Sequence, residues 1–259
     1  MSDGSRIWYQ SFVDPAAQRP YISRLQALLD EYAAPGIRLE VHGIDPPDRY
    51  LSPLTEFRCA GQAIRNAIEA QRSGCAAFVF GHFQEPGLVE ARTAVDIPVL
   101  GLGESTMLHA LTLGCTFGLV TINPVFVPWL RDQIVRLGLT RQAAGVRALD
   151  TQVETYMRAY EDPQAFREVK DAFAREAMAL VEAGAEVIVP AGGLPMLLFA
   201  RENSFDVGGA TVLNGLAVIV AMAEAAVKLH RITGSPVSRR GTYAKAPAEA
   251  VREFLDWSG

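Results

Sequence analysis

Two kinds of block alternate along this chain: short continuous apolar runs, and longer stretches with apolar residues three or four apart. The short runs predict strands at residues 7–12, 38–44, 76–81 and 98–103, then again at 116–121, 145–149 and 186–190. The wider spacing predicts helices at 21–32, 54–72, 86–93, 105–114, 124–137, 162–183, 213–231 and 247–257. Glycines close several of these helices, at Gly74, Gly114, Gly138 and Gly184, and Pro86 sits near the first turn of another. The run at 76–81 is apolar throughout, as a strand buried on both faces must be. Regular strand–helix alternation implies parallel sheets covered by helices. The pattern is run through twice, with no low-complexity linker between the passes. The expected architecture is therefore α/β with two closely packed lobes, and a cleft between them is the expected ligand site.

Composition narrows the function classes. The chain has 259 residues, 49% of them hydrophobic, which is enough for a core that needs no disulfide or metal staple. A net charge of −5, with Arg239-Arg240 as the densest basic cluster, argues against nucleic acid. Cys59, Cys75 and Cys115 form no CxxC pair, and so sparse a count suits a reducing cytoplasm. The longest apolar stretch, 216–227, is too short for a bilayer and is broken by Glu224. No basic-then-apolar leader opens the chain, so a cytoplasmic location and no membrane partner are expected. Gly101-Leu102-Gly103 is too short for a dinucleotide fingerprint and no P-loop lysine occurs, so no cofactor is expected.

Candidate chemistry concentrates in Phe78-Val79-Phe80-Gly81-His82-Phe83-Gln84-Glu85-Pro86-Gly87-Leu88. Here an apolar run stops at a polar cluster that opens a helix. Ligands of open parallel sheets bind at the carboxyl ends of strands, and an imidazole is the side chain suited to proton transfer near neutral pH. His82 is the candidate base or acid. Glu85, one turn later, either orients His82 or complements a helix start. Glu104 follows the next strand. His109, between Leu108 and Leu111, reads as a satisfied buried histidine. Together His82, Glu85, Glu104 and His109 leave a metal set open, but their spacing forms no known signature and no metal is expected. The turn Ala191-Gly192-Gly193 offers backbone N–H groups to a carboxylate or a developing enolate, or simply needs glycine. Thr121 and Asn123 end a strand with a hydroxyl and an amide that suit a substrate carboxylate. The loop at 45–50, with two prolines, either shapes the pocket or is ordinary surface.

Five segments, taken in order, resemble the aspartate/glutamate/hydantoin racemase superfamily, in particular its hydantoin racemase branch. They are His82–Leu88, Pro98–Glu104, Val120-Thr121, Val187–Gly193 and Ser238–Ala244, and the likeness covers nearly the whole chain. The resemblance implies two similar flavodoxin-like lobes related by a pseudo-twofold axis, with the active site in the cleft between them. Lobe one is expected at 1–114 plus 215–259 and lobe two at 115–214. It also implies cofactor-independent acid/base chemistry beside a carbonyl of a small carboxylate or cyclic amide, with Ser11 touching substrate and Glu104 in the frame of the site. A homo-oligomer is expected, the apolar helix at 213–231 serving as interface or core. Racemases of this family use two cysteines, one per lobe. This chain carries His82 and Gly192 at the aligned places, and a glycine side chain moves no proton. The expectation is a one-base lyase, decarboxylase or tautomerase built on His82. A racemase with a non-cysteine second base, a metal-dependent hydrolase and an inactive ligand-binding homologue are the alternatives.

Overall fold

The computed structural model describes residues 4–234 and 237–257. The chain forms two compact units, one of Met1–Gly101 with Ile219–Gly259 and the other of Leu102–Val218. In chain order the first unit holds β1 (Ser5–Gln10), α1 (Arg19–Tyr32), β2 (Ile37–His42), α2 (Pro53–Arg72), β3 (Ala77–Phe80), α3 (Leu88–Ala94) and β4 (Val99–Gly101). The second holds α4 (Leu102–Ala110), β5 (Phe117–Thr121), α5 (Phe126–Arg136), β6 (Ala143–Ala148), α6 (Val153–Ala159), α7 (Pro163–Glu182), β7 (Val187–Ala191), α8 (Gly193–Leu198), β8 (Asp206–Val207) and β9 (Ala210–Val212). The long helix α9 (Gly215–Thr233) leads back to the first unit, which ends with a 3-10 turn at Gly241–Tyr243 and α10 (Ala248–Asp256).

The two sheets share a strand order. The first reads β2-β1-β3-β4 and the second β6-β5-β7-β9-β8. Each places its second strand outside its first and continues from the first to the third, the flavodoxin-like arrangement. All pairings are parallel except β8 with β9, so the second sheet carries an antiparallel edge that the strand–helix alternation did not predict. That hairpin turns on Gly208-Gly209, both at positive φ, the conformation a two-residue hairpin loop demands. The helix read at 105–114 begins earlier, at Leu102, directly after β4, and it packs on β7 in the second unit.

Alternation within the strands builds the core around α2. Trp8 stacks on Phe78 with ring centroids 6.3 Å apart, and Phe12 tilts against Phe80 at 6.5 Å. Phe78 and Phe80 are fully buried with Cys59, Ala63 and Ala67 of α2 in one cluster. Each such phenylalanine contributes roughly 1.5–3 kcal/mol by leaving water. The buried stripe of α2 runs Glu56, Cys59, Ala60, Ala63, Ile64, Ala67, Ile68 and Ala70, the three-and-four spacing of one helix face. Its start is fixed by a capping box, in which the Ser52 hydroxyl accepts from the Thr55 N–H and the Thr55 hydroxyl accepts from the Ser52 N–H, a device stabilising by about 1 kcal/mol. The segment at 238–244 is tied to α3: Arg239 donates to the Arg92 and Val95 carbonyls and to Asp96, which also accepts from Lys245. Among the described residues no helix is long and apolar enough to cross a membrane.

Candidate active site

In a sheet of order β2-β1-β3-β4 the chain leaves β1 toward one side and returns at β3 on the other. Ligands of sheets with this order bind beyond the carboxyl ends of those two strands. Phe12 follows β1 and His82 follows β3. Because strand side chains alternate, Phe78, Phe80 and His82 point to the same side, the side that α2 covers.

Two contacts hold the His82 ring. Phe12 stacks on it with centroids 4.6 Å apart and planes 5° from parallel. Glu56, in the first turn of α2, places Oε1 2.9 Å from Nε2. The pair is largely shielded, with side-chain exposures of 22% for His82 and 9% for Glu56. A hydrogen bond involving a charged group in such a place contributes about 1.5–3 kcal/mol, and the positive end of α2 favours a carboxylate in its first turn. Glu56 Oε2 is buried with no hydrogen-bond partner among the described residues.

Glu85 is placed differently from the sequence reading. Residues 82–87 form turns, with the Glu85 N–H donating to the His82 carbonyl and the Leu88 N–H to the Glu85 carbonyl. Helix α3 starts only at Leu88, capped by Gly87 at φ 89°, so Pro86 precedes the helix. Glu85 itself adopts φ 56° and is 1% exposed. Left-handed backbone at a non-glycine residue costs on the order of 1–3 kcal/mol and gathers at functional sites. Its carboxylate reaches the end of β4, where Oε1 lies 2.1 Å from the point a Cβ on Gly101 would take. The carboxylate bonded to the imidazole is Glu56, which the sequence reading missed. The signal was present, since an acidic residue heads an otherwise apolar helix stripe.

The other candidates divide between the units. Ser11 follows β1, but its hydroxyl is hydrogen-bonded to the buried phenol of Tyr21 in α1. Thr121 closes β5 and is buried, its hydroxyl without a partner among the described residues. Thr121 pairs in register with Ala191, which ends β7, so Thr121 and Gly192 flank the equivalent switch point of the second sheet. The Gly192 N–H donates to the Pro190 carbonyl at 2.9 Å and is thereby used within the turn. Gly193 opens α8. Asn123 uses Oδ1 to accept from the Val125 N–H at 3.0 Å, ahead of α5. Glu104 lies half-buried in the first turn of α4. His109 is half-buried at the far end of that helix, beside the Thr112 hydroxyl. Among the described residues no three His, Cys, Asp or Glu side chains are grouped to hold a metal ion. His82, Glu85, Glu104 and His109 thus do not form the cluster their order in the chain left open.

Cys59 lies one turn along α2 from Glu56 and is fully buried. Burial pushes its thiol up to about 11, the nearby Glu56 and Asp48 carboxylates adding to the rise and Arg58 opposing it. At neutral pH it is a neutral thiol, unsuited to act as a thiolate base. Iodoacetamide at neutral pH should label the exposed Cys115 first and reach Cys59 only on unfolding, as read by peptide mass spectrometry. Equal labelling rates at the two positions would contradict this placement.

The family description Asp/Glu/Hydantoin racemase matches residues 12–223. A hydantoin racemase of Rhizobium meliloti is 30% identical over 177 residues, covering 68% of each chain. The structure of an allantoin racemase from Klebsiella pneumoniae superposes with a TM-score of 0.77 at 24% identity, over 94% of both chains. A variant of arylmalonate decarboxylase shares the fold at TM-score 0.55 and 16% identity, covering 92% of this chain and 97% of that one. With the model match spanning most of its length and a flavodoxin-like strand order in both sheets, this chain belongs to the Asp/Glu/hydantoin racemase family.

Proposed function

We propose that the protein is a cofactor-independent acid/base enzyme. It acts at a carbon next to a carbonyl of a small carboxylate or cyclic amide, with His82 as its one base and acid. The observation that carries this reading is an imidazole at a strand-end switch point, stacked on Phe12 and bonded to Glu56. A proton beside a carbonyl leaves only if a base is in reach and the enolate is stabilised. Neutral His82 takes that proton, the C–H electron pair moves into the enolate, and the resulting imidazolium returns a proton to the same face. In a decarboxylation His82 starts as the imidazolium: the C–C pair moves into the enolate as CO2 departs, the ring protonates the carbon, and water returns a proton to the ring. In the second unit we assign anion binding to Thr121 and Gly193, with Asn123 beside them; the buried, unpartnered Thr121 hydroxyl supports this.

A single base delivers its proton to one face, which favours a lyase, decarboxylase or tautomerase over inversion. Cys59 is a buried neutral thiol and Gly192 has no side chain to move a proton. The racemase reading has one specific support, the 30% identity to a hydantoin racemase. It requires a second acid or base other than cysteine. Purified protein in D2O, given 5-substituted hydantoins, allantoin or arylmalonates and followed by proton NMR, separates the two. One-base chemistry yields deuterium incorporation with one configuration. Equal wash-in from both enantiomers identifies a racemase, and no turnover across the panel counts against both.

A further inference from the structure

We infer that Glu56 is the positioning residue of the catalytic imidazole and that Nδ1 of His82 is the nitrogen that exchanges protons with the substrate; this rests on the acid/base reading above. An ionised carboxylate accepts hydrogen bonds and donates none. With Glu56 Oε1 at 2.9 Å, Nε2 carries the hydrogen of the neutral ring and Nδ1 keeps the lone pair. The Glu56 bond takes Nε2, while the His82 side chain keeps 22% of its surface exposed. Phe12 covers one ring face and Glu56 occupies the Nε2 edge, so the Nδ1 edge is the one left to a substrate.

Glu56 is itself held in place. It stands in the first turn of α2, whose start is set by the Ser52–Thr55 box and by the bond from the Thr55 hydroxyl to Asp48 Oδ1. Its second oxygen has no competing partner among the described residues. When Nδ1 takes a proton, the carboxylate already on Nε2 stabilises the imidazolium without any rearrangement.

The test reads the tautomer directly and needs no substrate. In uniformly 15N-labelled full-length protein at about pH 9, above the usual imidazole range, two-bond proton–nitrogen spectra distinguish the ring nitrogens. His82 is assigned by the loss of its signals in His82→Gln. The expected wild-type spectrum has the hydrogen on Nε2. Glu56→Leu, similar in size but unable to accept, should give mixed tautomers and a turnover about 100-fold lower, with KM little changed. Glu56→Gln, whose amide oxygen still accepts, should keep the wild-type tautomer. A hydrogen on Nδ1 in the wild type overturns the inference, and that spectrum stands whether or not the leucine variant folds. An unchanged tautomer in folded Glu56→Leu overturns it as well. The expected tautomers with no exchange on any substrate would sink the acid/base reading alone. Exchange abolished by His82→Ala, with an Nδ1–H ring in the wild type, would sink this inference alone.

Discussion

His82→Ala lowers α-proton exchange by about a thousandfold while the protein remains folded. The size follows from removing the group proposed to move the proton, since positioned acid/base groups contribute roughly 10²–10⁴-fold. The stability cost is smaller. Glu56, at 9% side-chain exposure, loses its partner and Phe12 loses a stacked ring. Leaving a buried acceptor unsatisfied costs about 1–3 kcal/mol, which a domain of ordinary stability survives. Circular dichroism and a urea melt check folding, and the deuterium assay checks exchange. Exchange at the wild-type rate in folded His82→Ala would remove the basis for assigning chemistry to this strand end.

Gly81→Ala should lower stability substantially, because the added methyl has no room beside Tyr9. A Cβ at residue 81 would lie 2.1 Å from Tyr9 Cε1, 2.4 Å from Cζ and 2.7 Å from the hydroxyl oxygen. Tyr9 cannot yield easily, because it is fully buried near the end of β1, where it is paired on both sides. Overpacking of a dense core costs about 1–3 kcal/mol, and this contact belongs at the upper end. The strain falls on the peptide next to His82, so exchange should drop with stability. Tyr9→Leu shortens the side chain below the clash and should recover part of the loss in the double variant. Such coupling is expected of residues in contact. Urea unfolding of both single variants and the double variant measures it. A cost under about 0.5 kcal/mol for Gly81→Ala would mean that the ring and strand are looser than their packing implies.

Much of the fold was legible because strand and helix periods are local. The runs ending at His82, Thr121 and Ala191 are short apolar blocks with polar or glycine residues behind them. His109 was read on a helix that begins three residues before its predicted start, so Glu104, read just past the strand, falls in its first turn. The elements missed were short. Helices α6 and α8 have seven and six residues, and strands β8 and β9 have two and three. Elements so brief have too few repeats for a period to show, although Gly208-Gly209 carried the turn signal for the hairpin.

The site was legible only in part. Position 82 was picked out as a candidate because a strand end in a parallel sheet has a known relation to ligands. Glu85 was chosen as its partner for nearness in sequence, and a left-handed turn sends that carboxylate to Gly101 instead. The acid on the imidazole stands 26 residues upstream. By itself the sequence determined that Glu56 heads the buried stripe of one helix and that His82 continues the Phe78-Phe80 face of one strand, because 3.6-residue and two-residue periods follow from backbone geometry alone. Only the tertiary structure decided that these two faces meet. That depends on which side of the sheet α2 crosses and where its first turn stops, and both are settled by packing between segments distant in the chain.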